Sequence, residues 1–154
     1  MNIFSFTAHF GSEEDCRLHF KEQRDKEGVV CKRCGGTSHY WLQGKWSYEC
    51  KGCRFRTSLR SGTIMESSKL PFLVWYKTMF LMSCTKKGFS TNELQKQLGL
   101  KRYEPVWAMV HKLRRAMGNR DARYTLEGMI ELDEGYFSVA SKEIERGKGT
   151  RGRG

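Results

Sequence analysis

Apolar and polar positions along this chain follow three patterns, and each predicts a different kind of element. Between Pro71 and Gly88, the residues Phe72, Leu73, Val74, Trp75, Tyr76, Met79, Phe80, Leu81 and Met82 leave almost no polar side. A helix apolar nearly all round belongs at the centre of a core. Pro71 suits its first turn, where a missing N–H is no loss, and Gly88 closes it. Narrower stripes predict helices on either side. Ser12 to Lys26 reads as a helix capped by Ser12, with Glu13, Glu14 and Asp15 at its positive end and Gly28 just past its close. Its stripe of Cys16, His19, Phe20 and Gln23 is expected to lean on a neighbouring module. Ser90-Thr91-Asn92-Glu93 reads as a capping box for a short helix through Leu98, with Leu94 and Leu98 facing inward. Gly99 supplies a turn. Pro105 then stands at the start of a helix to about Met117, in which Val106, Val110, Leu113 and Met117 form the buried stripe.

The second pattern is an alternation with a period of two. Tyr40-Trp41-Leu42 and Trp46-Ser47-Tyr48, joined through Gln43-Gly44-Lys45, predict a hairpin, and Arg54 to Leu59 adds a third strand. Met129 to Phe137 is a further strand candidate, with Glu131, Asp133 and Glu134 inside an apolar run. The third pattern is polar throughout. Gly118 to Gly128 reads as a connector, and Lys142 to Gly154 alternates basic residues with glycine and holds too little apolar content to fold by itself. No internal repeat is present. The fold class is α+β: an N-terminal helix plus small β module over residues 1–66, a helical domain over 67–120, and a linker, strand and basic tail over 121–154.

Cysteine spacing names what holds the β module. Cys31-Lys32-Arg33-Cys34 and Cys50-Lys51-Gly52-Cys53 are separated by fifteen residues, the spacing of a four-thiolate metal site. Each short loop aims two sulfurs at one point, and two loops supply a tetrahedron. Zinc is the expected ion, with iron left open because all-thiolate tetrahedra suit both. Four protein ligands leave no position for substrate, so the role is structural. His39 is an alternative ligand that four thiolates make unnecessary. Cys16 and Cys84 stand alone in helix-like surroundings and read as small buried hydrophobes.

Charge changes the picture more than hydropathy does. The 154 residues carry a formal net charge of +11, which points to a polyanionic partner, nucleic acid before membrane. Leu70 to Met82 is too short to span a bilayer, and Met1 to Phe10 lacks the pattern of a signal peptide, so the cytoplasm is the expected compartment. A short helix, a glycine turn and a longer basic helix form a helix-turn-helix pattern. Lys101, Arg102 and Tyr103 precede the second helix, while Lys112, Arg114 and Arg115 fall on its polar side with His111. Arg102 is the candidate for a base edge, since guanidinium grips guanine with two hydrogen bonds. Arg54, Arg56 and Arg60 on the β module are candidate phosphate contacts. Asp133, on the same strand face as Glu131, is a candidate magnesium ligand; a half-exposed strand with solvated carboxylates is the other reading.

The order of these elements resembles bacterial insertion-sequence transposases of the ISXO type. The likeness rests on Cys31 to Cys53, on Lys101 to Arg114 and on Ile130-Glu131-Leu132-Asp133-Glu134-Gly135-Tyr136-Phe137, and it covers nearly the whole chain. It implies a zinc ribbon, a helix-turn-helix that binds terminal inverted-repeat DNA, and the first strand of a ribonuclease-H-like domain with an acidic DDE triad. Asp133 matches the first catalytic aspartate. The other two carboxylates lie further downstream in such enzymes, so magnesium is expected only in a complete catalytic domain. Transposition chemistry is not expected from these residues alone. A strand without neighbours predicts mobility or non-native packing beyond about Phe137, or self-association. Homo-oligomers on DNA are a further implication. Two other functions fit the residues: a stand-alone zinc-ribbon/helix-turn-helix regulator in which Asp133 does nothing chemical, and a protein-interaction module whose charge is incidental.

Overall fold

Local capping chemistry sets where the helices begin. A computed structural model describes residues 2–84 and 88–122. Helix α1, Ile3–His9, starts at Asn2, whose side chain accepts from the Ser5 amide. Helix α2, Glu13–Glu27, has a complete capping box: Ser12 accepts from the Asp15 amide, and Asp15 accepts in return from the Ser12 amide. Its close at Gly28, with φ of 82°, uses a conformation that only glycine adopts freely. Helix α3 spans Phe72–Cys84. Helix α4, Thr91–Gln97, is capped by Ser90, whose hydroxyl accepts from the Glu93 amide. Helix α5 runs Tyr103–Asp121.

Between α2 and α3 lies a three-stranded antiparallel sheet in the order β1-β2-β3: His39–Leu42, Ser47–Cys50 and Arg56–Ser58. Leu42 pairs with Ser47 and His39 with Cys50 across the first hairpin, and Ser47 pairs with Ser58 across the second. The mixed helix and small-sheet architecture is the α+β class expected.

Residues Met1–Arg123 form one compact unit. Trp75, fully buried, sits in a core with Phe6, Cys16, Tyr48, Met65, Leu94 and Val106, so α1, α2, the sheet, α4 and α5 all contribute to one interior. Glu13 is central to that assembly. From the first turn of α2 its carboxylate accepts from the amides of Phe72 at 3.0 Å and Leu73 at 2.8 Å. These are two of the amides at the start of α3 that have no partner within the helix. A residue in the acidic first turn of its own helix, as expected, therefore also caps another.

One helix is added to those expected, and several expectations change. The N-terminal residues form α1, because Phe6 stacks on Phe80 at 4.4 Å and Phe10 packs on Tyr76 at 4.9 Å; such a short helix owes its stability to packing. Trp46 is not in a strand. It takes a left-handed backbone, φ 45°, after a single 3-10 turn over Gln43–Lys45, and this reverses the chain one residue later than expected. Helix α5 begins at Tyr103 and continues through Gly118 to Asp121, into what read as a connector. Its buried stripe is Val106, Met109, Val110 and Leu113, whereas Met117 is 46 % exposed. Cys84 is exposed, unlike the fully buried Cys16. Asp133, the strand Met129 to Phe137 and the tail beyond it lie outside the described residues.

Candidate metal centre and basic helix face

The two cysteine loops fold alike. Gly35 donates its amide to the Cys31 carbonyl, and Arg54 donates its own to the Cys50 carbonyl, both at 2.9 Å. The residue after the second cysteine of each loop is left-handed: Gly35 at φ 72° and Arg54 at φ 56°. Glycine meets that demand without strain, while arginine at the second loop does not. The Gly36 backbone lies so close to the sulfurs that an added Cβ would stand 3.4 Å from Cys34 Sγ and 3.5 Å from Cys50 Sγ.

This folding brings the four predicted ligands together. The sulfurs of Cys31, Cys34, Cys50 and Cys53 all lie within 4.8 Å of one another, with Cys31–Cys53 and Cys34–Cys50 each at 3.5 Å. A tetrahedron with zinc–sulfur bonds of about 2.3 Å has edges of about 3.8 Å, so the cluster has the size zinc requires. His39 is not part of it; its Nδ1 contacts the Thr37 carbonyl at 3.0 Å.

The thiol chemistry fits a cation as well. Burial pushes the Cys31 thiol up, but the amides of Cys34 and Arg33 and the neighbouring Cys53 thiol outweigh it and bring it down to about 6. The Cys50 thiol is also lowered, chiefly by the Cys53 amide. Cys34 moves the other way. The Gly36 amide favours its thiolate, yet the neighbouring thiols of Cys53, Cys50 and Cys31 push it up to about 12. Four sulfurs this close do not all ionise without a positive charge among them. Cys31, Cys34, Cys50 and Cys53 would hold a zinc ion that supplies that charge, and the chain's own amides favour the thiolates of Cys31 and Cys50.

Helix α2 covers the sheet. The Tyr48 hydroxyl donates to Asp25 at 2.8 Å, the Lys21 ammonium lies 5.0 Å from the Trp41 ring centre, and the Arg17 guanidinium lies 5.4 Å from that of Trp46. Burial pushes the Asp25 carboxyl up, but the bonds from Lys21 and Tyr48 prevail and hold it below its ordinary value.

The metal loops match a known sequence pattern. Residues 11–56 match the transposase zinc-ribbon domain. This segment is similar to a transposase zinc ribbon. Over 149 aligned residues it is also 28 % identical to "Uncharacterized protein in transposable element ISH50" of Halobacterium salinarum, covering 94 % of this chain and 49 % of that protein. The chain thus spans about half the length of that relative. No solved structure matches it. Both similarities are to proteins of transposable elements.

Beyond the ribbon, the candidate basic residues fall into distinct settings. Lys101, Arg102 and Tyr103 are exposed at the start of α5, which has no side-chain cap. The turn before them is braced by Gln95, whose amide nitrogen donates to the Leu100 and Lys101 carbonyls. Arg115 is exposed on the same helix. Lys112 reaches the Glu66 carbonyl at 2.7 Å, and Arg114 the Phe89 carbonyl at 3.2 Å. On the ribbon, Arg54 is exposed and Arg56 pairs with Glu49 at 2.8 Å. Arg60 is partly buried: it donates to the Ser68 carbonyl and lies 4.1 Å from the Phe72 ring centre, and burial lowers its pKa. Sequence reasoning passed over Trp107, 48 % exposed, as a surface residue. Its signal was available, since the buried stripe leaves position 107 on the opposite side of the helix. Among the described residues no helix is long and apolar enough to cross a membrane.

Proposed function

We propose that this chain is the DNA-binding part of a DDE-type transposase and that it binds the terminal inverted repeats of an insertion sequence. The observation that carries this reading is a helical pair, α4 and α5, with an exposed basic start to α5, in a chain that also holds a segment similar to a transposase zinc ribbon. In a helix-turn-helix, the second helix reads bases from its N-terminal part while flanking groups hold phosphates. Arg102 grips a guanine edge, and Lys101, Tyr103 and Arg115 contact the surrounding backbone. Arg54 and Arg56 add phosphate contacts from the ribbon. Lys112, Arg114 and Arg60, each already donating to a carbonyl, brace the surface and touch phosphate with their remaining donors.

Residues 1–66 form the ribbon module, 67–120 the reader, and 121–154 the linker and opening strand of the catalytic domain. Asp133 is the first magnesium ligand of the whole protein, which assembles as an oligomer on DNA in the cytoplasm and carries out the strand transfer. The stand-alone regulator is the second reading, favoured by the 2–122 region having a metal staple and core of its own.

Gel-shift titration of a duplex carrying the element's terminal repeat tests the binding role. Arg102→Ala is expected to weaken binding by about 1–3 kcal/mol, while Asp133→Ala leaves it unchanged. Equal binding by Arg102→Ala, or loss of binding in Asp133→Ala, contradicts these assignments.

A further inference from the structure

The exposed side of α5 carries an aromatic row. Tyr103, Trp107, His111 and Arg115 follow one another at four-residue intervals, so they lie along one line of the helix surface. All four are exposed, while Val106, Met109, Val110 and Leu113 fill the opposite side. Trp107 is 48 % exposed and Tyr103 40 %. The rings of Trp107 and His111 lie 4.1 Å apart at 51°, so the imidazole limits the orientations open to the indole. This arrangement holds a large apolar ring at the surface with little freedom left to lose on contact, which favours binding.

We propose that Trp107 is a specificity-determining residue that reads the C5-methyl group of thymine in the major groove. The inference rests on the duplex-binding reading above and names a base preference for it. In that groove the bases present hydrogen-bonding groups and one apolar group, the thymine methyl. An indole on the reading side of α5, one turn beyond Tyr103, finds its apolar complement there. The row also explains a division of labour: Arg102 and Arg115 stand near its two ends as cations, and the Trp107 indole between them offers an apolar face.

The test uses the whole zinc-loaded chain and duplexes it selects from a random-sequence pool. Each thymine of the selected duplex is replaced singly by deoxyuridine, which removes only the methyl group. For wild type, one replacement lowers affinity about fourfold, the loss of one buried methyl. Trp107→Ala is insensitive to that same replacement and binds the selected duplex about fourfold more weakly or worse, yet binds unselected duplex as wild type does. Trp107→Phe keeps the thymine preference. Because the side chain is exposed, zinc content and thermal melting of Trp107→Ala match wild type. Uniform tolerance of deoxyuridine by wild type overturns the proposal, as does an unchanged pattern in Trp107→Ala or an equal loss on selected and unselected DNA. A wild-type chain that binds no duplex removes the duplex-binding reading itself, and this inference with it.

Discussion

Glu13 shows how far a single side chain reaches in this protein. Its carboxylate closes the start of α3 while its own backbone opens α2, joining two helices almost sixty residues apart in sequence. Removing a helix cap costs about 1–2 kcal/mol, and an acceptor serving two amides belongs at the upper end. Glu13→Ala is therefore expected to lower the denaturant midpoint of the zinc-loaded protein by about that free energy without changing zinc content. An unchanged midpoint would show that water serves the Phe72 and Leu73 amides equally well. The sequence reading placed Glu13 in the first turn of α2, where it stands, but missed its second role at α3, because a local rule sees only the nearest N-terminus. Ser12 and Ser90, whose capping partners lie three residues on, were legible for the same reason. Met117 and Cys84 mark the opposite limit. Apolar spacing says which side of a helix faces inward, but whether its far end still has a partner depends on neighbouring elements.

At the scale of elements, the ribbon was readable because four thiols at fixed spacing leave few geometries open. The hairpin register was less so: a left-handed Trp46 shifts the reversal by one residue, and no composition rule marks tryptophan for that conformation. Helix α1 was invisible for want of length, since its stability comes from Phe6 against Phe80. The cysteine chemistry makes a separate prediction. Zinc needs thiolates, and the protonated Cys34 thiol must release its proton on binding near neutral pH. Zinc affinity should fall as pH falls, and more steeply below about 6, where the Cys31 thiolate is also lost. Chelator competition between neutral and mildly acidic pH measures this; affinity independent of pH would mean that thiolates are not the ligands. Removing zinc should also disturb α2, which holds the sheet through Asp25 and Tyr48. Near-ultraviolet dichroism from Trp41, Trp46 and Tyr48 reports that loss.

For the whole molecule, the ribbon and α5 are tied through Glu66. Its carboxylate accepts from Lys32, inside the first cysteine loop, at 2.7 Å, and its carbonyl accepts from Lys112 of α5 at 2.7 Å. Metal site and α5 are thus linked by one residue, as the proposed binding of one duplex by both would require. The zinc-loaded chain's affinity for the element's terminal-repeat duplex, relative to a scrambled duplex of equal length across a range of salt, tests that function most directly. Tighter binding to the repeat by about a thousandfold is expected, with affinity for both falling linearly on logarithmic axes as salt rises. Equal affinity for the two duplexes, or binding indifferent to salt, would contradict a zinc-held reader of DNA.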